Sequence, residues 1–198
     1  MERIILASGS PNRRALLEQV GIPFRVIVPE IDERGKPAES IEERARRLAA
    51  EKVAQVAAQL GMPQRKWIVG FDTLIGIQNR IIGKLETRRE ARDVLKALSG
   101  RSHCIFTAVA LLSKPEEEIR LDTCSTTVKL RTMTEQEIEY YLDTGEWQNA
   151  AGAYRIQSRG AFFVESLHGS YSNVVGLPLS VLYGMLRGAG YLFSRSKI

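Results

Sequence analysis

Ile4-Ile5-Leu6-Ala7-Ser8-Gly9-Ser10-Pro11-Asn12-Arg13-Arg14 decides how the chain starts to fold. The four apolar residues make a short buried strand. Ser10 followed by Pro11 then marks a helix start, with the hydroxyl as N-cap and the proline at the first helical position, where a missing N–H costs nothing. An amphipathic stretch from Asn12 to Val20 follows, and Gly21 closes it. A strand-to-helix turn of this kind presents free backbone N–H groups and the positive end of a helix dipole, which together attract anions. Ser8 and Arg13 are placed to hold a phosphate there. The same residues also suit a merely capped helix with two exposed arginines, and this stretch alone leaves both readings open.

Working outward, the capping box Ser40-Ile41-Glu42-Glu43 opens a second helix that carries Ile41, Ala45, Leu48, Val53, Val56 and Leu60 at helical spacing and ends near Gly61. Trp67 to Phe71 and Leu74 to Ile77 read as strand on either side of the polar pair Asp72-Thr73, and Gln78-Asn79-Arg80 turns the chain toward Ile81-Ile82-Gly83. Thr87-Arg88-Arg89-Glu90 caps a third helix that Gly100 ends. Cys104 to Leu112 and Arg120 to Leu130, joined across Lys114-Pro115-Glu116, predict an antiparallel hairpin. Thr134-Glu135-Gln136-Glu137 caps a helix that stops at Gly145. Short strands are expected around Ala153 to Ile156 and Phe162 to Val164, then a polar loop and a last helix from near Pro178. Alternating strands and helices early, with hairpins late, predict an α/β domain with a mixed twisted sheet flanked by helices. One domain spanning 1–198 is expected, with a loose tail at 194–198.

The composition excludes several classes. With 44% hydrophobic and 26% charged residues over 198 positions, the chain has the profile of a globular domain large enough to bury a core. Met1-Glu2-Arg3 runs directly into a strand, so no leader is expected. No apolar run approaches the roughly 20 residues of a membrane helix. Cys104 and Cys124 give no disulfide framework, which points to a reducing, cytoplasmic setting. A net charge of +5 favours anionic ligands. Yet the basic runs Arg44-Ala45-Arg46-Arg47 and Arg88-Arg89 read first as solvated helix faces, so nucleic acid is not expected as a stable partner. Two histidines without His-Glu-x-x-His, and the absence of a Gly-x-Ser-x-Gly elbow, argue against zinc and triad chemistry. The glycines from Gly76 to Gly83-Lys84 have the wrong spacing for a phosphate loop of the Walker type.

What remains is a scatter of cations and carboxylates. At about 100° per residue, Lys52 falls between Leu48 and Val56 inside an apolar stripe, where it either snorkels to water or meets an anion in a cleft. Asp72 ends an apolar run and needs a hydrogen bond, an ion pair or a metal; it is the candidate base, with an Asx turn as the alternative. Lys84 follows the strand partner of that run. Glu33, in the loop Pro29-Glu30-Ile31-Asp32-Glu33, offers a second carboxylate for a divalent ion or simply faces solvent. Gln157, read as lying on a short strand, carries a primary amide suited to the donor and acceptor pair of a pyrimidine.

In order along the chain, Ala7-Ser8-Gly9-Ser10-Pro11, Gly70-Phe71-Asp72-Thr73 and Leu98-Ser99-Gly100-Arg101-Ser102-His103 resemble the signatures of Maf proteins. So do Thr144-Gly145-Glu146, Ala151 to Gln157, and Gly169 to Leu179; the resemblance runs from about residue 3 to 192. It implies an inosine-triphosphate-pyrophosphatase-like fold with two lobes around a central cleft, and a metal-dependent nucleoside triphosphate pyrophosphatase that uses Mg2+ or Mn2+. Residue by residue, it implies that Asp72 is the proton acceptor, that Ser8, Arg13, Lys52 and Lys84 hold the triphosphate, and that Glu33 and Asp72 hold the metal. It ties Asn12, Thr73 and Gln157 to base choice, and Ile156-Gln157 resembles the branch acting on dTTP and UTP. A homodimer is the family-level expectation.

Several positions depart from that pattern. Asn12 stands where an arginine is usual, which bears on base choice and keeps another base, such as that of 7-methyl-GTP, as an alternative. Phe71 replaces Ala, Leu85 replaces Pro, Trp147 replaces Pro, Ala150 replaces Lys and Ser158 replaces Gly. A nucleotide-binding regulator of septum formation without catalysis, and a basic nucleic-acid binder, are the readings from other classes.

Overall fold

The computed structural model describes residues 1–61, 67–77, 80–83, 85–113 and 118–193. In chain order the strands are β1 (Ile4–Ala7), β2 (Phe24–Ile27), β3 (Trp67–Ile77), β4 (Arg80–Ile82), β5 (Ser102–Ser113), β6 (Ile119–Leu130) and β7 (Val164–His168). The helices are α1 (Pro11–Gln19), α2 (Ile41–Leu60), α3 (Arg88–Leu98), α4 (Glu135–Asp143), α5 (Tyr171–Val175) and α6 (Leu179–Gly188), with single 3-10 turns at Ala151–Ala153 and Arg159–Phe163. The strands follow the order β2-β1-β3-β5-β6-β7, and β4 pairs with β3. β1 runs parallel to β2 and β3, while β3 with β4 and β6 with β7 are antiparallel, so the sheet is mixed and the protein is α/β.

Three capping boxes start helices as the sequence predicts. Ser40 Oγ accepts from the Glu43 amide at 3.2 Å while the Glu43 carboxylate accepts from the Ser40 amide at 2.8 Å, and Thr87/Glu90 and Thr134/Glu137 repeat the exchange. Ser10 caps α1 with Pro11 in its first turn.

The chain divides into two compact units. One comprises Met1–Thr73, Thr107–Cys124 and Gly176–Ile198; the other comprises Leu74–Phe106 and Ser125–Val175. In the first, Ile4, Leu6, Leu17, Leu48, Val53, Val56, Val69 and Phe71 are fully or almost fully buried. Here α2 lies directly on β3 because position 70 is a glycine: a Cβ there would sit 2.7 Å from Val53 Cγ2 and 2.9 Å from the Ala49 carbonyl. The second has its own core, in which Ile75, Leu95, Ile105, Val128, Leu130, Ile138, Tyr141 and Phe163 pack together.

Three expectations are corrected. Asp72-Thr73 does not interrupt β3, which runs unbroken through both residues. The segment after Gly169 is not all loop, since residues 171–175 form α5. Ala153 to Ile156 is not a strand: Gly152 and Ala153 have φ of 72° and 62°, and the Arg155 amide donates to the Tyr141 hydroxyl at 3.0 Å, where a strand would need a backbone partner. Arg155 also donates through Nε to the Glu146 carbonyl and through Nη2 to that of Gln148, both at 2.8 Å, and Gln157 follows in an exposed turn. The linkers at Gln78-Asn79 and Lys114-Pro115-Glu116, and the tail at 194–198, lie outside the described residues.

Candidate active site

The first unit gathers most of the predicted site residues. α1 begins at Pro11 behind its cap Ser10, so its phase puts Arg13 on the same side as Leu16 and Leu17, and all three are buried. Arg13 is therefore not one of two exposed arginines; that description fits Arg14 alone. Its guanidinium donates through Nε to the Gly176 carbonyl at 2.8 Å, through Nη1 to Ser8 Oγ at 2.9 Å and through Nη2 to Thr73 Oγ1 at 3.1 Å. All three acceptors are neutral, and none of the ion pairs among the described residues includes Arg13. Burial pulls its pKa down, and the negative charges of Asp72 and Glu33 act in the opposite direction. An arginine holds its proton at any ordinary pH, so the site contains a buried positive charge whose hydrogen bonds among the described residues all go to neutral groups, with the Phe71 ring centroid 5.6 Å from its Cζ.

Lys52 does not snorkel. Its side chain is 8% exposed, and Nζ lies 2.7 Å from Asp72 Oδ1 and 2.8 Å from Glu33 Oε1. Asp72 is equally buried, in the interior of β3 and not in an Asx turn, and its Oδ2 is buried with no hydrogen-bond partner among the described residues. The close packing at Gly70 sets this spacing, because it brings the turn of α2 that carries Lys52 down onto the strand that carries Asp72.

Glu33 is half exposed, yet its loop is tied to α2. Gln55 exchanges two 2.6 Å bonds with the backbone of Glu30, Arg44 donates to the Glu33 carbonyl at 2.8 Å, and Arg47 donates to the Arg34 carbonyl at 3.1 Å. The run Arg44 to Arg47 is thus more than a solvated face. Two of its arginines, Arg44 and Arg47, on the helix that also carries Lys52, clamp the loop that presents the second carboxylate. Their spacing of three along a helix was the available signal.

Thr73, next to Asp72, accepts from Arg13 and lies 3.0 Å from the hydroxyl of Thr107, which is wholly buried in β5. Thr107 and the Gly176 carbonyl are parts of the site that sequence reasoning missed; a lone hydroxyl within the apolar run Ile105 to Leu112 was the visible hint. Asn12 is half-buried beside Arg13. Lys84 lies outside the described residues. Gln157 belongs to the second unit and sits on a turn instead of a strand. That unit also holds His103, 3% exposed and bonded through Nε2 to the Tyr154 hydroxyl at 2.8 Å.

The first unit thus holds a buried arginine in the first turn of α1 and a Lys-Asp pair with a second carboxylate, and residues 3–189 match the family described as Maf-like protein. This chain belongs to that family. It is 44% identical over 191 residues to a dTTP/UTP pyrophosphatase of Halalkalibacterium halodurans, covering 96% of this chain and 98% of the relative. It is 43% identical over 193 residues to one of Rhizobium johnstonii, covering 96% and 93%. With one of Symbiobacterium thermophilum it shares 42% over 191 residues, covering 96% of both chains. Among solved structures, the Staphylococcus aureus Ham1 protein matches with a TM-score of 0.44 and 15% identity, over 65% of this chain and 72% of that one. No helix among the described residues is long and apolar enough to cross a membrane.

Proposed function

We propose that this protein hydrolyses the bond between the α and β phosphates of dTTP and UTP, yielding the nucleoside monophosphate and pyrophosphate, with a divalent cation as cofactor. The observation that carries the reading is Arg13: a buried guanidinium with no carboxylate partner among the described residues, which anchor three of its N–H groups and leave two for an anion, close enough to Asp72 and Glu33 for their charges to act on it. The names of the relatives support the choice of reaction and base.

The residues present fit a divalent ion. No group of three or more His, Cys, Asp or Glu among the described residues forms a closed cage. A hard cation of the Mg2+ type, however, needs only one or two carboxylates and completes its shell with water and substrate phosphate. Asp72, with an unpartnered buried oxygen, and Glu33 supply that pair. Bound there, the ion would neutralise phosphate charge and acidify a coordinated water. Arg13 and Lys52 bind the phosphates and stabilise charge developing on the leaving pyrophosphate. Asp72 accepts the proton of the attacking water, or orients it. Thr73 and Asn12, beside Asp72 and Arg13, bear on base choice.

The test is pyrophosphate release from a panel of triphosphates with and without Mg2+ or Mn2+. dTTP and UTP are expected to lead, and equal rates on all bases would defeat the pyrimidine assignment. Asp72→Asn should lower kcat by about 10²–10⁴. A folded Asp72→Asn protein that turns over UTP at the wild-type rate would remove Asp72 from its role.

A further inference from the structure

Thr107 has no surface to offer a substrate, yet its hydroxyl sits in a chain of hydrogen bonds that ends on the phosphate-binding arginine. It is 0% exposed, between Phe106 and Ala108 in β5, and Oγ1 lies 3.0 Å from Thr73 Oγ1. A guanidinium can only donate, so Thr73 must accept from Arg13 Nη2. The single proton of Thr73 then goes either to Thr107 or to the Gly176 carbonyl, 3.5 Å away and already bonded to Arg13 Nε at 2.8 Å. In both cases Thr107 completes the shell of the hydroxyl that holds one arm of Arg13. Without it, the described residues leave the Thr73 hydroxyl only a long contact to Gly176 besides Arg13.

We propose that Thr107 is a positioning residue, whose hydroxyl locks Thr73 so that Arg13 is held with its two spare N–H groups aimed for an anion. The catalytic half of this inference rests on the reading of Arg13 as a phosphate ligand; the positioning half does not.

The experiment has two readouts. The first, independent of activity, is the hydrogen-exchange rate of the Arg13 Nε–H in 15N-labelled, nucleotide-free protein, with the resonance identified by its loss in Arg13→Lys. Thr107→Val should speed this exchange by roughly tenfold, the weight of about one net hydrogen bond, and Thr107→Ser should leave it as in the wild type. The second is steady-state UTP hydrolysis. Thr107→Val should lower kcat by about 10- to 100-fold with KM changed by no more than about threefold, and Thr107→Ser should restore kcat. Because Thr107 acts through Thr73, adding Thr107→Val to Thr73→Val should cost nothing more. Thr107→Ala replaces Thr107→Val if the latter does not fold. Unchanged exchange in the Thr107 variant overturns the proposal whatever the activity, as does a kcat loss that multiplies in the double variant. Slow wild-type exchange with no hydrolysis of any triphosphate would instead defeat the proposed reaction, and the exchange data would then decide the positioning claim alone.

Discussion

Replacing Lys52 by methionine tests the charge arrangement at the centre of the site. Lys52 and Asp72 are each 8% exposed at the side chain and 2.7 Å apart, and the second oxygen of Asp72 already lacks a partner among the described residues. Lys52→Met keeps the length and apolar stem of the side chain but leaves a buried carboxylate with neither oxygen satisfied. Breaking a buried pair in this one-sided way costs about 3–5 kcal/mol. The half-exposed Glu33 adds at most about 1 kcal/mol, because water takes over its solvation. For a chain of this length that corresponds to a melting temperature lower by roughly 6–20 °C. Asp72→Asn should cost less, under about 2 kcal/mol, since the amide oxygen still accepts from Lys52 and Lys52 keeps Glu33.

The double variant Lys52→Met/Asp72→Asn removes both charges and should be more stable than Lys52→Met alone, with a coupling energy of about 1–3 kcal/mol. Urea unfolding without nucleotide or metal measures all four proteins. Trp67 in the first unit and Trp147 in the second let fluorescence of single-tryptophan versions report each unit separately, which checks that one transition is being followed. A Lys52→Met protein within about 1 kcal/mol of the wild type, or a double variant weaker than Lys52→Met, would refute the account of Asp72 as a buried charge that Lys52 neutralises.

His103 gives a pH-dependent prediction: burial pushes its pKa from 6.5 down to about 4. The unfolded chain therefore binds a proton in that window while the folded one does not, so stability falls as pH drops from 6.5 to about 4, by up to about 3 kcal/mol. His103→Gln should flatten this part of the urea-derived stability profile, and an unchanged slope would show that another group titrates there. Gly70→Ala places a Cβ 2.7 Å from Val53 Cγ2 and 2.9 Å from the Ala49 carbonyl, contacts that only a shift of α2 can relieve. It should cost about 1–3 kcal/mol in urea unfolding and lower kcat with it, because the same shift carries Lys52 off Asp72. A Gly70→Ala protein with wild-type stability would mean that the helix does not rest on the strand there.

The parts of the fold that follow from local chemistry were legible. Ser10-Pro11 and the three capping boxes fix helix starts within a few residues of themselves, and the structure contains each one. The misread segment, Ala153 to Gln157, shows the limit. Its alternating pattern suits a strand, but its partners are the Tyr141 hydroxyl, the carbonyls of Glu146 and Gln148 and the ring of His103; only His103 lies on a strand, and it is met through its side chain and not through a backbone ladder. Period-two alternation measures which side of the chain is buried; it does not say whether a ladder buries it.

The two central cations show how far a periodicity argument reaches. Lys52 shares the stripe of Leu48 and Val56, and Arg13 shares that of Leu16 and Leu17, so both can be placed on buried faces from helical phase alone. Arg14 and Glu18, about 100° and a further turn away, fall on the exposed side. Burial of a charged group cannot be a local event, because the side chains of its own apolar stripe have nothing to bond it with. The partners must come from other elements: Asp72 lies 20 residues from Lys52, while Thr73 and Gly176 lie 60 and 163 residues from Arg13. A cation in an apolar stripe thus announces that a polar site exists and on which face of the helix it lies. Which groups complete it depends on where β3 and the loop before α6 arrive, and only the tertiary structure supplies that.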